Sequence, residues 1–374
     1  MRDPRLDKLA DIMVHYSSEV KTGDLVCISA DPIAMPMIEA VYEKTLQAGG
    51  HPFWIPRSEA LADIFLEQAS DEQLDFLSPL RMQMVEAIDV QIGLWADVNT
   101  RSSSRVDPAR QSRLSRAGEP YFVRFLDRAA EGDLRWVGTQ YPTQASAQDA
   151  EMSLRQYEEF VYGAGKLDLD DPAAAWRHLR EQQKRACDWL NQKKEVRFRA
   201  PNGTDLTVNV DGATWINCAG EDNFPDGEVF AGPQGVEGVV YYTFPAVNMG
   251  REVTGIRLEF RNGIVVDASA SKGEDFLIAM LDMDPGARHL GEIAIGTNYS
   301  ITEYTRNTLF DEKIGGTFHA AVGQGYPESG SNNKSALHWD MVCDLRQGGT
   351  IEADGELFHE NGHFKFEGWP GAIL

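Results

Sequence analysis

The sequence predicts an α/β protein in two parts: an N-terminal parallel-sheet α/β domain over residues 1–165, and a strand-rich α+β C-terminal metal-binding domain over 166–374. Three observations carry this. In the first part, short apolar runs alternate with helical patterns, the order that builds parallel sheets. The apolar period drops from 3.6 to 2 near Glu195. A chain of 374 residues also exceeds one ordinary core.

The elements follow in order. Leu6, Leu9, Ile12, Met13 and Tyr16 keep helical spacing and predict a helix over 6–19. Thr22-Gly23-Asp24 turns the chain into the apolar strand 25–30. Helical periodicity returns over 35–49 and stops at Gly49-Gly50, before a second strand at 51–56. This β-α-β unit lacks G-x-G-x-x-G after its first strand, so no dinucleotide site follows from it. A strand at 89–95 runs into a polar loop in which Asn99 and Arg101 are candidate ligand contacts, and a basic helix follows over 109–116. A strand at 134–139, one long helix over 145–163 and another opened by Asp171-Pro172 complete this part.

Val196, Phe198 and Ala200, then Leu206, Val208 and Val210, alternate with polar residues around Asn202-Gly203 and predict a hairpin. Further strands are expected at 238–244, 252–260, 263–270, 293–296, 316–322, 336–345 and 348–358, with a short helix at 275–281. From Gly362 a polar and aromatic tail is expected.

The formal charge of −23 argues against nucleic acid as a partner. Cys27, Cys187, Cys218 and Cys343 form no C-x-x-C pair, which excludes a cysteine zinc site and suits reduced thiols in a cytoplasmic protein. No run is long and apolar enough for a membrane span, and the charged N-terminus has no signal-peptide hydrophobic region.

The chemistry concentrates late. His338-Trp339-Asp340 puts two donors at i and i+2, on one face of a strand. His319 lies in another strand-like run, with Glu312 seven residues before it and Tyr326 seven after. Glu292 precedes a short strand, and the turn Pro225-Asp226-Gly227 delivers Glu228 to the start of another. Singly, each has a structural explanation. Together, two histidines, one aspartate, two glutamates and a tyrosine exceed the needs of one catalytic ion and suit two ions sharing a carboxylate. Zinc, cobalt, manganese and magnesium all accept such donors.

Four segments then read together: 223–230, 291–298, 311–319 and 338–340. In order and spacing they resemble the aminopeptidase T / aminopeptidase S family of dinuclear metallopeptidases, and the resemblance extends over nearly the whole chain. It implies two divalent metals held by Glu228, Glu292, His319, His338 and Asp340, with Tyr326 matching a central tyrosine. It implies peptide substrates, a homodimer, and hydrolysis of N-terminal amino acids by a metal-activated water. Glu292 and Glu312 are the candidates for the base, and Tyr326 for a catalytic hydroxyl. The interval from His319 to His338 is shorter than the family's pattern, which bears on cavity shape. The alternatives are another dinuclear hydrolase, such as an amidase or a phosphoesterase, and a metal-binding protein without catalysis.

Overall fold

The computed structural model describes residues 2–373. Its contacts divide the chain into two units, Met1–Ala173 with Gly220–Phe224, and Ala174–Ala219 with Pro225–Leu374.

The first unit is built on β1 (Leu25–Ala30), β2 (His51–Pro56), β3 (Val90–Trp95) and β4 (Arg135–Gln140). With the later two-residue β8 (Asn223–Phe224) they form a parallel sheet ordered β2-β1-β3-β4-β8. Crossover helices follow the strands, as the β-α-β pattern requires. On one side of the sheet, Cys27, Val85, Ile88, Phe125 and Leu134 form a common core.

Two helix expectations change. The basic helix runs Pro108–Ala130, because the apolar stripe continues past Arg116 through Tyr121 and Phe125. The single helix over 145–163 is two, Gln144–Asp149 and Leu154–Ala164. Glu151 takes a positive φ of 58°, and Ser153 with Gln156 forms a capping box that starts a new helix. Helices Glu59–Gln68 and Pro79–Ala87 carry no sequence expectation; neither turns a continuous apolar face to the core.

The second unit holds the strand-rich part. Its strands are β5 (Glu195–Arg199), β6 (Asp205–Asn209), β7 (Ile216–Cys218), β9 (Glu228–Ala231), β10 (Gly235–Tyr241), β11 (Ala246–Asn248), β12 (Arg251–Val253), β13 (Arg257–Arg261) and β14 (Ile264–Ser269). Then come β15 (Leu290–Gly296), β16 (Thr317–Gly323), β17 (His338–Asp344), β18 (Thr350–Ala353), β19 (Glu356–Glu360) and β20 (His363–Phe364). One sheet has the order β14-β13-β10-β6-β5-β18-β19-β20, a second β17-β16-β15-β9-β7, and β11-β12 is a separate hairpin. The expected strand over 252–260 is therefore split between β12 and β13, and that over 348–358 between β18 and β19; the turns at Gly255 and Gly355, both at positive φ, divide them.

The two larger sheets share one core. Phe198 of β5 packs on Phe318 of β16 at 4.4 Å between ring centres. Helix Pro172–Leu190 adds Ala186, Cys187 and Leu190 to this core, and Trp189 sits among Phe358, Phe366 and Trp369. The aromatic end of the chain is thus packed. Among the described residues, no helix is long and apolar enough to cross a membrane.

His359 of β19 is fully buried, and neither ring nitrogen has a hydrogen-bond partner among the described residues. Burial, with the charge of His363, pushes it down to about 3. The unfolded chain binds a proton here near the ordinary value of 6.5, and the folded chain does so only near 3. Stability therefore falls as pH drops from 6.5 towards 3, by at most about 1.4 kcal/mol per pH unit from this group. We expect His359→Phe to flatten the acid limb of stability between pH 7 and pH 5 by about 2 kcal/mol, read as urea midpoints. Parallel pH dependences in variant and wild type would contradict it.

Candidate metal centre

Strand registers explain why the candidate donors meet. Phe230 faces Ala294, Ala294 faces His319, and Ala321 faces Glu292 on one side and Asp340 on the other. Cross-strand partners, and residues two apart, share a face. Glu228, Glu292, His319, His338 and Asp340 therefore project from one face of the five-stranded sheet. The alternate residues, among them Val229, Ile293, Phe318, Ala320, Trp339 and Met341, point into the core. Small side chains floor the site: Ala321 lies between Glu292 and Asp340, and Gly296 opposite Glu228.

A bulge sets the phase. The register of β15 shifts between Leu290 and Glu292. Leu290 consequently joins the core, while Glu292 faces the other way. A Cβ on Gly291 would collide with the carbonyls of Gly323 and Gln324.

Both imidazoles are oriented alike. His319 Nδ1 lies 3.0 Å from the carbonyl of Glu312, and His338 Nδ1 lies 2.7 Å from that of Gln324. Each Nδ1–H donates to a carbonyl, which turns Nε2 towards the carboxylates. His319 Nε2 is 3.0 Å from Glu292 Oε1, 3.5 Å from Glu228 Oε2 and 3.7 Å from Asp340 Oδ1. His338 Nε2 is 3.3 Å from Asp340 Oδ2. Burial opposes protonation of both rings, but the hydrogen bond His319 donates to Glu292 and the charges of Glu228 and Asp340 carry His319 up to about 10. Against the same burial, Asp340 carries His338 up to about 10. Burial would raise Asp340 too, yet His338 and His319 hold it well below the usual carboxylate range.

A buried lysine balances part of the negative charge. Lys313 is fully buried, with Nζ 3.2 Å from Glu228 Oε1, 3.8 Å from Asp226 Oδ1, and bonded to Glu312. Burial works against its charge, but Glu228, Glu312 and Asp226 hold the ammonium well above its usual range. Below the strand, Gln183 of helix Pro172–Leu190 donates to the carbonyls of Cys218 and Glu228 at 2.9 and 3.1 Å, and Thr297 Oγ1 donates to its amide oxygen at 2.6 Å. Burial dominates at Glu228 and Glu312 and pushes both carboxyls up despite the lysine.

The model of one family, thermophilic metalloprotease (M29), matches residues 2–364. The chain belongs to that family. It is 28% identical to Aminopeptidase 2 of Geobacillus stearothermophilus over 98% of both chains. The solved structure of wild-type AmpT from Thermus thermophilus superposes with a TM-score of 0.85 at 26% identity, covering 97% of this chain and 99% of that one. A 2,5-dihydroxypyridine dioxygenase from Pseudomonas putida matches with a TM-score of 0.58 at 14% identity, over 99% of this chain and 96% of that one. That last likeness concerns the fold alone, and one fold hosts several chemistries.

The residues present fit the divalent metal that a metallopeptidase requires. Among the described residues, two groups bring donor atoms within 4.8 Å of one another: Glu228, Glu292 and His319; and Glu312, His319 and Asp340. Among the described residues, Glu228 Oε2 and Asp340 Oδ1 are buried and accept no hydrogen bond, although a buried carboxylate oxygen ordinarily has a partner. A cation facing both would satisfy them.

Of the expected residues, the sheet face thus gathers Glu228, Glu292, His319, His338 and Asp340, and Glu312 meets them from the end of helix Thr308–Asp311. Tyr326 stands at the rim, 43% exposed, its ring edge-on to His338 at 5.6 Å and against Phe230 at 5.5 Å. Asn99 and Arg101 belong to the first unit; Asn99 accepts from the Arg101 backbone at 3.0 Å, and Arg101 pairs with Asp149 at 3.4 Å. Sequence reasoning gave no role to Lys313, Asp226 or Gln183. The signal at hand was a lysine inside an apolar, glycine-rich run, where a free ammonium would be costly.

Gly291 supports both metal-facing strands without a donor of its own, because the Gln324 carbonyl it abuts also orients His338. Gly291→Ala should lower stability by about 1–3 kcal/mol through overpacking. It should also weaken metal binding by about tenfold or more, as loss of an orienting contact does. Competition against a chromophoric chelator reads this; wild-type affinity in the variant would refute the coupling.

Proposed function

We propose that this metal-dependent aminopeptidase removes N-terminal amino acids from peptides with two divalent cations held on the one sheet face. What carries the reading is the set of five donors converging there, with Glu312 opposed to them. Glu228, Glu292 and His319 would hold one cation, and His338 and Asp340 the other. Glu292 is the candidate for the shared carboxylate, since it flanks Ala321 opposite Asp340. Cations bound there would lower the pKa of water and polarise the scissile carbonyl.

The chain's own groups do the rest. His319 and His338 keep Nε2 directed inward through their Nδ1 hydrogen bonds. Glu312 is the base we assign. It lines the open space beside the centre together with Asp340, whereas Glu292 does not. It accepts the proton of the attacking water and returns it to the leaving amine. Lys313 steadies Glu312 and Glu228 as charge moves. The Tyr326 hydroxyl, carried by a ring set against His338, is the donor we assign to the developing oxyanion.

Four free cysteines suit a reducing compartment, so a cytoplasmic setting belongs to the same proposal, as does a homodimer.

The test uses leucyl and arginyl peptides before and after chelation, with metal restored. Chelation should abolish release, and zinc, cobalt or manganese should restore it. Glu312→Gln should keep its metal content yet lose about 10²–10⁴ in kcat, as removal of a general base does. His338→Ala and Glu228→Ala should lose metal. Chelator-insensitive cleavage, or a wild-type rate in Glu312→Gln, would overturn the mechanism.

A further inference from the structure

One short segment lies between two sides of the proposed centre: Gly296-Thr297-Asn298, where β15 ends. On one side it meets the turn that delivers Glu228. Gly296 is paired with Glu228, and the Thr297 amide donates to the Gly227 carbonyl at 2.8 Å. On the other side it meets the run that follows Glu312. The Asn298 amide donates to the Lys313 carbonyl at 3.0 Å, and the Gly315 amide donates to the Asn298 carbonyl at 3.0 Å, so that Asn298 and Ile314 form an isolated parallel bridge.

The Asn298 side chain closes this arrangement. It is fully buried. Nδ2 donates to the Asp226 carbonyl at 2.8 Å, and Oδ1 accepts from the Ser300 amide at 3.1 Å. A side-chain amide carries donors and an acceptor on one short planar group, and both kinds are used here. The fit at the turn is tight: Gly227 has a φ of 118°, and a Cβ on it would stand 2.7 Å from the Asn298 Cβ. Main chain and side chain of one residue thus bind two segments that lie far apart in sequence. Those segments carry the groups that meet at the Lys313 ammonium: Asp226 and Glu228 from one, Glu312 and Lys313 itself from the other.

We propose that Asn298 is a positioning residue that sets the spacing between Glu228 and the Glu312–Lys313 pair, and through it the hold on metal and the placement of the base. This rests on the aminopeptidase reading above. A lysine side chain on its flexible stem follows its partners and does not fix them. The peptide groups at Asp226, Lys313 and Gly315 are fixed, because each is hydrogen-bonded to the same buried asparagine. A shift of about 1 Å in reacting groups, caused at a residue remote from the chemistry, costs on the order of 10²-fold in rate.

Asn298→Ala and Asn298→Asp test this, with Tyr299→Phe as the comparison. Asn298→Asp keeps the shape and the acceptor for Ser300 but loses the donor to the Asp226 carbonyl. Tyr299→Phe removes a hydroxyl that donates to the Gly362 carbonyl at 2.9 Å, a bond to the end of the chain and not to the Asp226 turn. Zinc affinity is read by competition against a chromophoric chelator, kcat and KM on a leucyl peptide at saturating zinc, and the melting temperature on each variant. Both Asn298 variants should bind zinc about 10- to 100-fold more weakly, as loss of an orienting contact does. At saturating zinc, well below the melting temperature, their kcat should fall by about tenfold or more with KM nearly unchanged, the pattern of a displaced base. Tyr299→Phe should lose melting temperature only. Wild-type zinc affinity and kcat in either folded Asn298 variant would overturn the assignment, as would equal losses in Tyr299→Phe, which would mark a general loosening of the fold. A wild type that binds zinc but releases no amino acid would overturn the aminopeptidase reading instead, and the zinc affinities would still decide the role of Asn298.

Discussion

A concentration of buried negative charge dominates the second unit. Asp226, Glu228, Glu292 and Asp311 are almost wholly buried, and Glu312 and Asp340 stand beside them with little exposure. Two histidines and Lys313 face this group. Burying unpaired carboxylates is expensive, and such a cluster persists only with countercharges at hand. Lys313 supplies one, and the imidazoles of His319 and His338, both raised by these carboxylates, face the same group.

The sheet makes this cluster possible by separating two duties. One face of the five-stranded sheet is close-packed against the eight-stranded sheet through residues such as Phe318, Ile295 and Met341. The other face carries donors on β9, β15, β16 and β17. A strand's strict alternation prevents either duty from invading the other. The bulge at β15 is the exception that the design uses, since it lets Leu290 and Glu292 serve opposite faces. Positions between the donors are small, so that ligands from neighbouring strands can approach a common centre.

Much of this was legible beforehand, for identifiable reasons. The parallel sheet of the first unit followed from short apolar runs at β1, β2 and β3, whose bounds depend on local pattern. His338-Trp339-Asp340 announced a strand with two donors on one side, and β17 has that form. Glu228 after a Pro-Asp-Gly turn does open a strand. What could not be read was long-range. The pairing of β9 with β15, which brings Glu228 towards His319, spans more than sixty residues and has no local signature. Lys313 carried no expectation, because two of its carboxylate partners, Asp226 and Glu228, arrive from more than eighty residues away. The break near Met152 was missed because apolar spacing continues across it; the capping pair Ser153 and Gln156 was the signal that outweighed periodicity. Helix Glu59–Gln68 exposes most of its apolar residues, so burial pattern gave no cue there.

The central claim is that the carboxylates and histidines on one sheet face hold two metal ions. Crystals of the protein grown with zinc, measured on both sides of the zinc absorption edge, test it directly. The account predicts two anomalous peaks per chain, one among Glu228, Glu292 and His319 and one beside His338 and Asp340. A single peak, or peaks away from these side chains, would contradict it.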